Sequence, residues 1–338
     1  MNKFKKIFVP GGAGYVGSVL VPELLKQGYE VVVYDLYIYG KQSLSAVRGN
    51  PRLTEIQGDV RDTAKVKSAL QGCDAVIHLA CISNDPSVEL NQELSESVNY
   101  RSFEPMILAA KEEGVKRFIF ASSGSVYGVS DSPSVTEEHP LVPVSFYNRY
   151  KAMCEPVLLK HQSKDFTTVI IRPATVCGYS PRQRLDLTVN ILTNHAFNKG
   201  LITVLGGAQK RPNIHIKDMV DLYCKLLQYD SNLIAGQIFN AGFENLSVSQ
   251  IAGVVKEIVE KEVPEREHIT IETSPSNDPR SYHISSEKIQ RVLGFHPQYT
   301  IADGVRDLIG AFREGLLPDS LNEIRYFNVK LMKHINLS

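Results

Sequence analysis

The stretch Val9–Gly17, VPGGAGYVG, carries the pattern that decides the fold. Its glycines fit both G-x-G-x-x-G and the overlapping pattern G-x-x-G-x-x-G. These glycines are Gly11, Gly12, Gly14 and Gly17. The preceding KKIFVP predicts a strand, and the following VGSVLVPELLKQG predicts a helix that stops at Gly28. Glycines at such a junction permit a tight turn and a close backbone approach to a diphosphate at the helix N-terminus, so the stretch predicts a dinucleotide-binding loop.

Short apolar runs alternate with helix-like segments downstream of this loop. The runs are EVVVYD, LTEIQGDV, DAVIHLAC, KRFIFASS, TTVIIRPA and the later QIFNAG. This alternation predicts an α/β fold with a Rossmann-type, doubly wound parallel sheet that is covered on both faces. We expect a nucleotide-binding domain at 1–172 with 214–242, and a smaller C-terminal lobe at 173–213 with 243–317. The tail 318–338 is expected to be a loosely packed extension without an assigned role.

The composition is that of an ordinary globular protein. Lys plus Arg equals Asp plus Glu at 37 each among 338 residues, which favours neither a nucleic-acid partner nor a membrane surface. The five cysteines form no C-x-x-C, and the nine histidines show no metal-ligand spacing, so no metal site is predicted. The apolar run in MNKFKKIFVPGG is too short for a signal peptide, and we expect a cytoplasmic protein.

An acidic residue lies where a dinucleotide fold needs one. Asp35 follows Gly17 by 18 residues and ends the second predicted strand, which suits hydrogen bonds to an adenosine ribose. Its carboxylate would repel a 2′-phosphate, and the next residues, LYIYG, contain no arginine, so NAD is favoured over NADP. An ordinary turn aspartate is the alternative for Asp35. Asp59, after the third predicted strand, is expected either to contact adenine or to cap the next helix.

Tyr147 and Lys151 are the candidate proton-transfer residues. They lie four apart in FYNRYKAMCE and therefore share one face of a helix. A nearby ammonium group is expected to lower the pKa of the phenol towards neutral pH. This spacing is common by chance, but together with the glycine loop it predicts hydride transfer to or from a secondary alcohol.

At ASSGSVYG and YNRYK the sequence resembles the extended short-chain dehydrogenase/reductases, within them the nucleotide-sugar epimerase/dehydratase group. The resemblance covers about residues 5–315, with the landmarks GGAGYVG, GDVRD, HLA, VNYRS, SSGSVYG, YNRYK, RPATV and IHIKDMVD. It implies that Ser123, Tyr147 and Lys151 are catalytic, with Ser122 as the rival of Ser123. It also implies cofactor contacts from a larger set of residues. That set is Gly11, Gly14, Tyr15, Val16, Asp35, Asp59, Val60, Leu79, Ala80, Asn99, Tyr147 and Lys151.

The same resemblance implies a nucleotide-diphosphate sugar as the substrate, bound by the smaller lobe, and a homodimer. Ser123 and three arginines, Arg182, Arg211 and Arg280, are the candidate substrate-binding residues. The run SPRQRLDL is similar to a subgroup that includes oxidoreductases of GDP-linked heptoses. Sugar 4,6-dehydratases of the family carry an Asp-Glu pair after the catalytic residue, where this sequence has Gly124 and Ser125. The resemblance therefore favours an NAD-dependent 4-epimerase acting through a transient 4-keto sugar. A 4-dehydrogenase or 4-ketoreductase and a non-catalytic dinucleotide sensor are the alternatives.

Overall fold

The computed structural model describes residues 3–130, 132, 134–276 and 281–337. The strands are β1 Lys6–Pro10, β2 Glu30–Asp35, β3 Leu53–Gln57, β4 Ala75–His78, β5 Arg117–Ala121, β6 Thr167–Pro173, β7 Thr175–Cys177, β8 Leu201–Leu205, β9 Lys210–His215, β10 Gln237–Ala241, β11 Glu244–Ser247 and β12 Thr270–Ser274. The helices are α1 Gly17–Lys26, α2 Thr63–Leu70, α3 Asp85–Val88, α4 Gln92–Glu96, α5 Phe103–Glu112, α6 Phe146–Lys160, α7 Thr188–Lys199, α8 Ile216–Gln228, α9 Ser231–Ile234, α10 Val248–Glu262, α11 Glu287–Leu293, α12 Ile301–Arg313 and α13 Asn328–Ile335. Among these described helices, none is long and apolar enough to cross a membrane.

Seven parallel strands form the central sheet in the order β10-β6-β5-β4-β1-β2-β3. Successive side chains of a strand face opposite sides, so Ile7 and Val9 of β1 enter one core cluster and Phe8 enters the other. Both faces are thus buried, and the predicted doubly wound Rossmann-type sheet is confirmed. The strand order reverses between β1 and β4, which is where such sheets bind ligands.

A second core lies beside the sheet. Helices α7, α10 and α12 pack on one another around Val189, Val255 and Val305, together with the parallel strands β8 and β12. A capping box between Ser247 and Gln250 fixes the start of α10. This arrangement gives the smaller lobe its own hydrophobic interior.

The expectation of a loosely packed tail is wrong. Asn328, Leu331 and Met332 of α13 are buried, with exposures of 1%, 4% and 6%. The backbone N–H of Leu185 donates to the carbonyl of Tyr326 at 2.9 Å, which joins the segment before α13 to the chain after β7. The start of α13 is therefore packed into the fold.

Candidate active site

One cleft of about 650 Å³ opens at the carboxyl ends of the central strands. Gly11 contributes from the end of β1, Asp35 from β2, Leu79 from the end of β4 and Ser122 from the end of β5. The cleft thus lies at the reversal of strand order, and its volume is in the range of small-molecule sites.

The glycine loop forms the cleft's inner wall. Gly11 has φ of +81°, and a Cβ on it would lie 2.5 Å from the backbone N of Ala80; one on Gly17 would lie 2.6 Å from the carbonyl oxygen of Gly11. Within the described chain, the backbone N–H groups of Tyr15 and Val16 donate no hydrogen bond. Because α1 also begins without a side-chain cap, its N-terminal end suits an anionic diphosphate. The residues of the loop therefore fit a dinucleotide.

Asp35 is held at the edge of this wall. Its two carboxylate oxygens accept hydrogen bonds from the backbone N–H groups of Ala13, at 3.0 Å, and Tyr37, at 2.8 Å. Burial raises the pKa of Asp35, and these two bonds oppose that shift. The place of the Asp35 carboxylate in the cleft is compatible with a hydrogen bond to the adenosine ribose, and this contact stays a prediction.

Val60, Leu79 and Ala80 line the cleft, as expected of cofactor-binding residues, but Asp59 is not among its described lining residues. The Asp59 carboxylate instead accepts from Arg61, at 3.0 Å from Nε and 2.7 Å from Nη2. The alternative role of Asp59 as a helix cap is wrong, because Asp62 caps α2, and the predicted adenine contact stays a prediction.

Asn99 lies behind the wall of the cleft. Its Oδ1 accepts from the backbone N–H of Ile82 at 2.8 Å, and its Nδ2 donates to the carbonyl of Ile82 at 2.9 Å. Asn99 is 7% exposed and is absent from the described lining residues. Asn99 thus holds the loop after β4, of which Ile82 lines the cleft, and its predicted cofactor contact stays a prediction.

The three predicted catalytic residues line the same cleft. Tyr147 and Lys151 lie on α6, whose N-terminus is capped by the Ser145 hydroxyl, and Ser123 follows β5. Lys151 is 3% exposed, and its Nζ donates to the carbonyl of Ala121 at 2.6 Å. The lysine is thus fixed to the strand end that carries Ser123.

The pKa of Tyr147 differs from the expectation. Burial raises it well above the ordinary value, the nearby Cys81 and Asp85 raise it further, and the charge of Arg184 opposes them. Burial is the largest cause of this shift, and the predicted lowering by Lys151 is not seen.

Ser122 is engaged elsewhere, although it also lines the cleft. Its hydroxyl donates to Glu155 at 2.5 Å, and Glu155 forms a buried ion pair with Arg172 at 2.6 Å. These contacts leave Ser123 as the better candidate for holding a reacting oxygen.

The arginines of the candidate substrate site separate into different places. Arg211 lines the cleft and is 9% exposed. Arg182 also lines the cleft, but its guanidinium lies over the ring of Tyr39, 3.4 Å from the centroid, on the side of Asp35. Arg280 lies outside the described residues.

Sequence reasoning missed several lining residues. Cys81, Asn84 and Asp85 follow the HLA landmark, so their position could have suggested them. Tyr39 follows Asp35 in LYIYG and could have been found in the same way. Asn328 carries no local signal, because the contacts that bring it to the cleft come from distant parts of the chain.

The fold and site define a dinucleotide-dependent enzyme with a tyrosine-lysine pair, and comparison with known proteins specifies the family. The model of the NAD-dependent epimerase/dehydratase family matches residues 7–242. The chain belongs to this family, and NAD is its cofactor.

Individual relatives cover nearly the whole chain. A UDP-glucose 4-epimerase from Lactobacillus helveticus is 28% identical over 322 residues, covering 89% of this chain and 94% of the relative. A dTDP-glucose 4,6-dehydratase from Streptomyces griseus is 30% identical over 309 residues, covering 88% and 91%. The crystal structure of the dTDP-glucose 4,6-dehydratase DesIV from Streptomyces venezuelae, solved with NAD bound, has a TM-score of 0.82 at 26% identity, covering 94% of this chain and 100% of that one. Epimerases and dehydratases are thus similarly related to this chain.

Proposed function

We propose that this protein is an NAD-dependent nucleotide-sugar 4-epimerase that acts through a transient 4-keto sugar. The observation that carries the proposal is that Ser123, Tyr147 and Lys151 line one cleft together with the glycine loop. When bound, NAD supplies the hydride acceptor and donor. The protein's own groups must then hold the sugar and move one proton.

The side chains suit those tasks. Ser123 would hold the reacting oxygen, and Tyr147 would exchange a proton with it. Lys151, fixed on Ala121, would bind the nicotinamide ribose and keep a positive charge on the same side of the cleft. The sugar diphosphate would pair with Arg211, whose planar guanidinium can bind two phosphate oxygens at once.

The neighbours of Ser123 argue against dehydration. Gly124 has no side chain, and the Ser125 hydroxyl lies 2.7 Å from that of Ser123 and donates to Oδ1 of Asn148 at 2.5 Å. In the 4,6-dehydratases that the chain resembles, an Asp-Glu pair at these positions supplies the acid and base for elimination of water, and neither Gly124 nor Ser125 can do so. The hydride would therefore return to C4 without loss of water from the sugar.

A product analysis tests the proposal. The purified protein is incubated with UDP-, GDP- and dTDP-sugars while absorbance of reduced nicotinamide is followed. A C4 epimer formed without net reduction supports the epimerase. Accumulation of reduced cofactor would assign a 4-dehydrogenase instead. Consumption of reduced cofactor with an added 4-keto sugar would assign a 4-ketoreductase. NAD binding without turnover of any sugar would indicate a dinucleotide sensor.

Tyr147→Phe tests the acid/base residue. We expect turnover to fall at least ~10²-fold, because the proton-transfer group is lost, with NAD affinity nearly unchanged. Tyr150→Phe is the matched control, since Tyr150 lies on the same helix, is buried and is outside the described lining of the cleft. Turnover retained in Tyr147→Phe would remove this phenol from the mechanism.

A further inference from the structure

The segment 327–337 forms part of the wall of the cofactor cleft. Helix α13 packs against α3, and residues of the terminal segment share the lining of the cleft with the glycine loop. These residues are Phe327, Asn328, Val329, Lys330 and Leu337. Leu337 also packs on the cluster that contains Val60, which follows β3. The segment therefore runs from the chain after β7 to the sheet side of the cleft.

Asn328 joins three parts of the cleft through its buried polar groups. Its Nδ2 donates to the Ser83 hydroxyl at 2.9 Å, and its backbone N–H donates to Asp186 at 3.0 Å. Its Oδ1 accepts a short hydrogen bond from Nη2 of Arg182. One amide thus links the loop after β4, the loop after β7 and the C-terminal helix.

Arg182 is a buried cation without an ion-pair partner among the described residues. It is 5% exposed, its Nε has no hydrogen-bond partner, and no described carboxylate lies within 4.0 Å of its nitrogens. Burial lowers its pKa to about 10. Neighbouring Asp186 is paired with Arg184 at 2.9 Å. Because an unpaired buried charge is costly, the arrangement favours an anionic ligand in the cleft.

The position of Arg182 identifies which anion. Its backbone N–H donates to the Ser18 hydroxyl of α1 at 3.2 Å, and its guanidinium covers Tyr39. Ser18 lies one residue beyond Gly17, and Tyr39 follows Asp35. Ser18 belongs to the helix at whose N-terminus the diphosphate is expected, and Tyr39 lies near the candidate ribose contact, so both are on the cofactor side of the cleft. Arg211 comes from β9 of the other lobe.

We propose that Arg182 binds a phosphate of NAD rather than of the sugar nucleotide, and that Asn328 is the positioning residue that holds Arg182 there. The C-terminal helix then acts as a clasp that slows cofactor release. A clasp of this kind depends on the family cofactor alone and does not require the protein to be an epimerase.

Binding measurements on the full chain test the proposal separately from activity. NAD affinity is measured by calorimetry on cofactor-stripped protein, and UDP, GDP and dTDP serve as probes of the substrate site. Arg182→Gln is expected to lower the affinity for NAD at least ~10-fold, because a charge-assisted hydrogen bond is lost. The affinities for UDP, GDP and dTDP should stay within about twofold of the wild-type values. Arg182→Lys retains the charge but not the planar guanidinium, so its affinity for NAD should lie between those of the wild type and Arg182→Gln. Arg182→Lys replaces Arg182→Gln in the test if the latter does not fold.

Asn328→Ala tests the positioning role. We expect NAD to dissociate about tenfold faster, with the association rate little changed, since one buried hydrogen-bond partner of Arg182 is lost. Lys333→Ala is the control, because Lys333 is exposed on the same helix and is not among the described lining residues. Loss of nucleoside-diphosphate binding with NAD unchanged would return Arg182 to the substrate site and overturn the proposal. Equal losses of both ligands, or unchanged NAD dissociation in folded Asn328→Ala, would also overturn it.

Discussion

The two sides of the cofactor cleft are built by different means. On the sheet side, Gly11, Asp35 and Leu79 lie at or next to the ends of neighbouring strands, and backbone approach shapes the wall. On the other side, Asn328 meets Ser83 and Arg182 across 245 and 146 residues of sequence, and side-chain hydrogen bonds shape the wall. The sheet side should therefore tolerate no added volume, while the C-terminal side should respond to lost polar groups.

The largest effect is expected from volume added to the sheet side. In Gly17→Ala the new Cβ would lie 2.6 Å from backbone atoms of Gly11 and Gly12, which cannot move aside as a side chain could. We expect the free energy of unfolding to fall by about 3 kcal/mol and NAD affinity to fall with it. Urea unfolding and calorimetry with NAD measure the two quantities.

Gly253→Ala is the control for this substitution. Gly253 lies in α10, and a Cβ on it would meet nothing within 4 Å. Alanine should raise the free energy of unfolding there by about 0.5–1 kcal/mol, because it restricts the unfolded chain. If both alanine variants behaved alike, close packing would not define the sheet side of the cleft.

The same contrast explains what the sequence could predict. The glycine loop, the strands and the Tyr147–Lys151 pair are contiguous patterns, and their spacing alone places them at strand ends and on one helix face. The hydrogen bonds of Asp59 and Asn99 could not be predicted in this way, because they depend on which groups the fold places beside each side chain: Arg61 beside the carboxylate, and the Ile82 backbone beside the amide.

The C-terminal side shows the limit more sharply. The sequence marks Arg182 as a candidate phosphate ligand by its chemistry, but its place depends on Asn328, which stands in a segment without a motif. Asn328, Leu331 and Met332 are buried on the same helix, which packs on parts of the chain far away in sequence. Long-range pairs of this kind have no local signature.

The pH dependence of stability gives a second test of the sheet side, because a buried histidine lies there. His78 ends β4 with its ring among Phe103, Phe118 and Phe120, and burial lowers its pKa to about 3, with the charge of Lys151 adding to the effect. The folded pKa lies below the unfolded value near 6.5, so between these values only the unfolded chain binds the proton. The stability that neutral His78 provides is therefore complete above about pH 6.5 and is lost as pH falls towards 3.

We expect this single group to lower the free energy of unfolding by about 2–3 kcal/mol between pH 7 and pH 4.5. His78→Leu should remove that part of the pH dependence and retain the part due to carboxylates. Urea unfolding of both proteins at the two pH values gives the difference. If the free energy of unfolding changed with pH equally in the wild type and the variant, His78 would bind protons equally well in the folded and unfolded chain, and its pKa would not be lowered by folding.

The smallest effect is expected in the preference for NAD over NADP, which Asp35 should set from the sheet side of the cleft. Asp35→Asn keeps an acceptor for a backbone N–H but removes the negative charge that should repel a 2′-phosphate. We expect the preference for NAD over NADP to narrow at least ~10-fold, because the like-charge repulsion at the ribose is lost. Calorimetric titration of both cofactors into the stripped protein measures the preference.

Arg182→Gln gives the complementary result in the same titrations. The diphosphate is common to NAD and NADP, so loss of the Arg182 charge should weaken both cofactors by the same factor and leave the preference unchanged. Asp35 on the sheet side would then determine which dinucleotide is preferred. Arg182 on the C-terminal side would determine how tightly either dinucleotide is bound. A changed preference in Arg182→Gln would place the guanidinium at the ribose beside Asp35, and an unchanged preference in Asp35→Asn would remove Asp35 from the ribose.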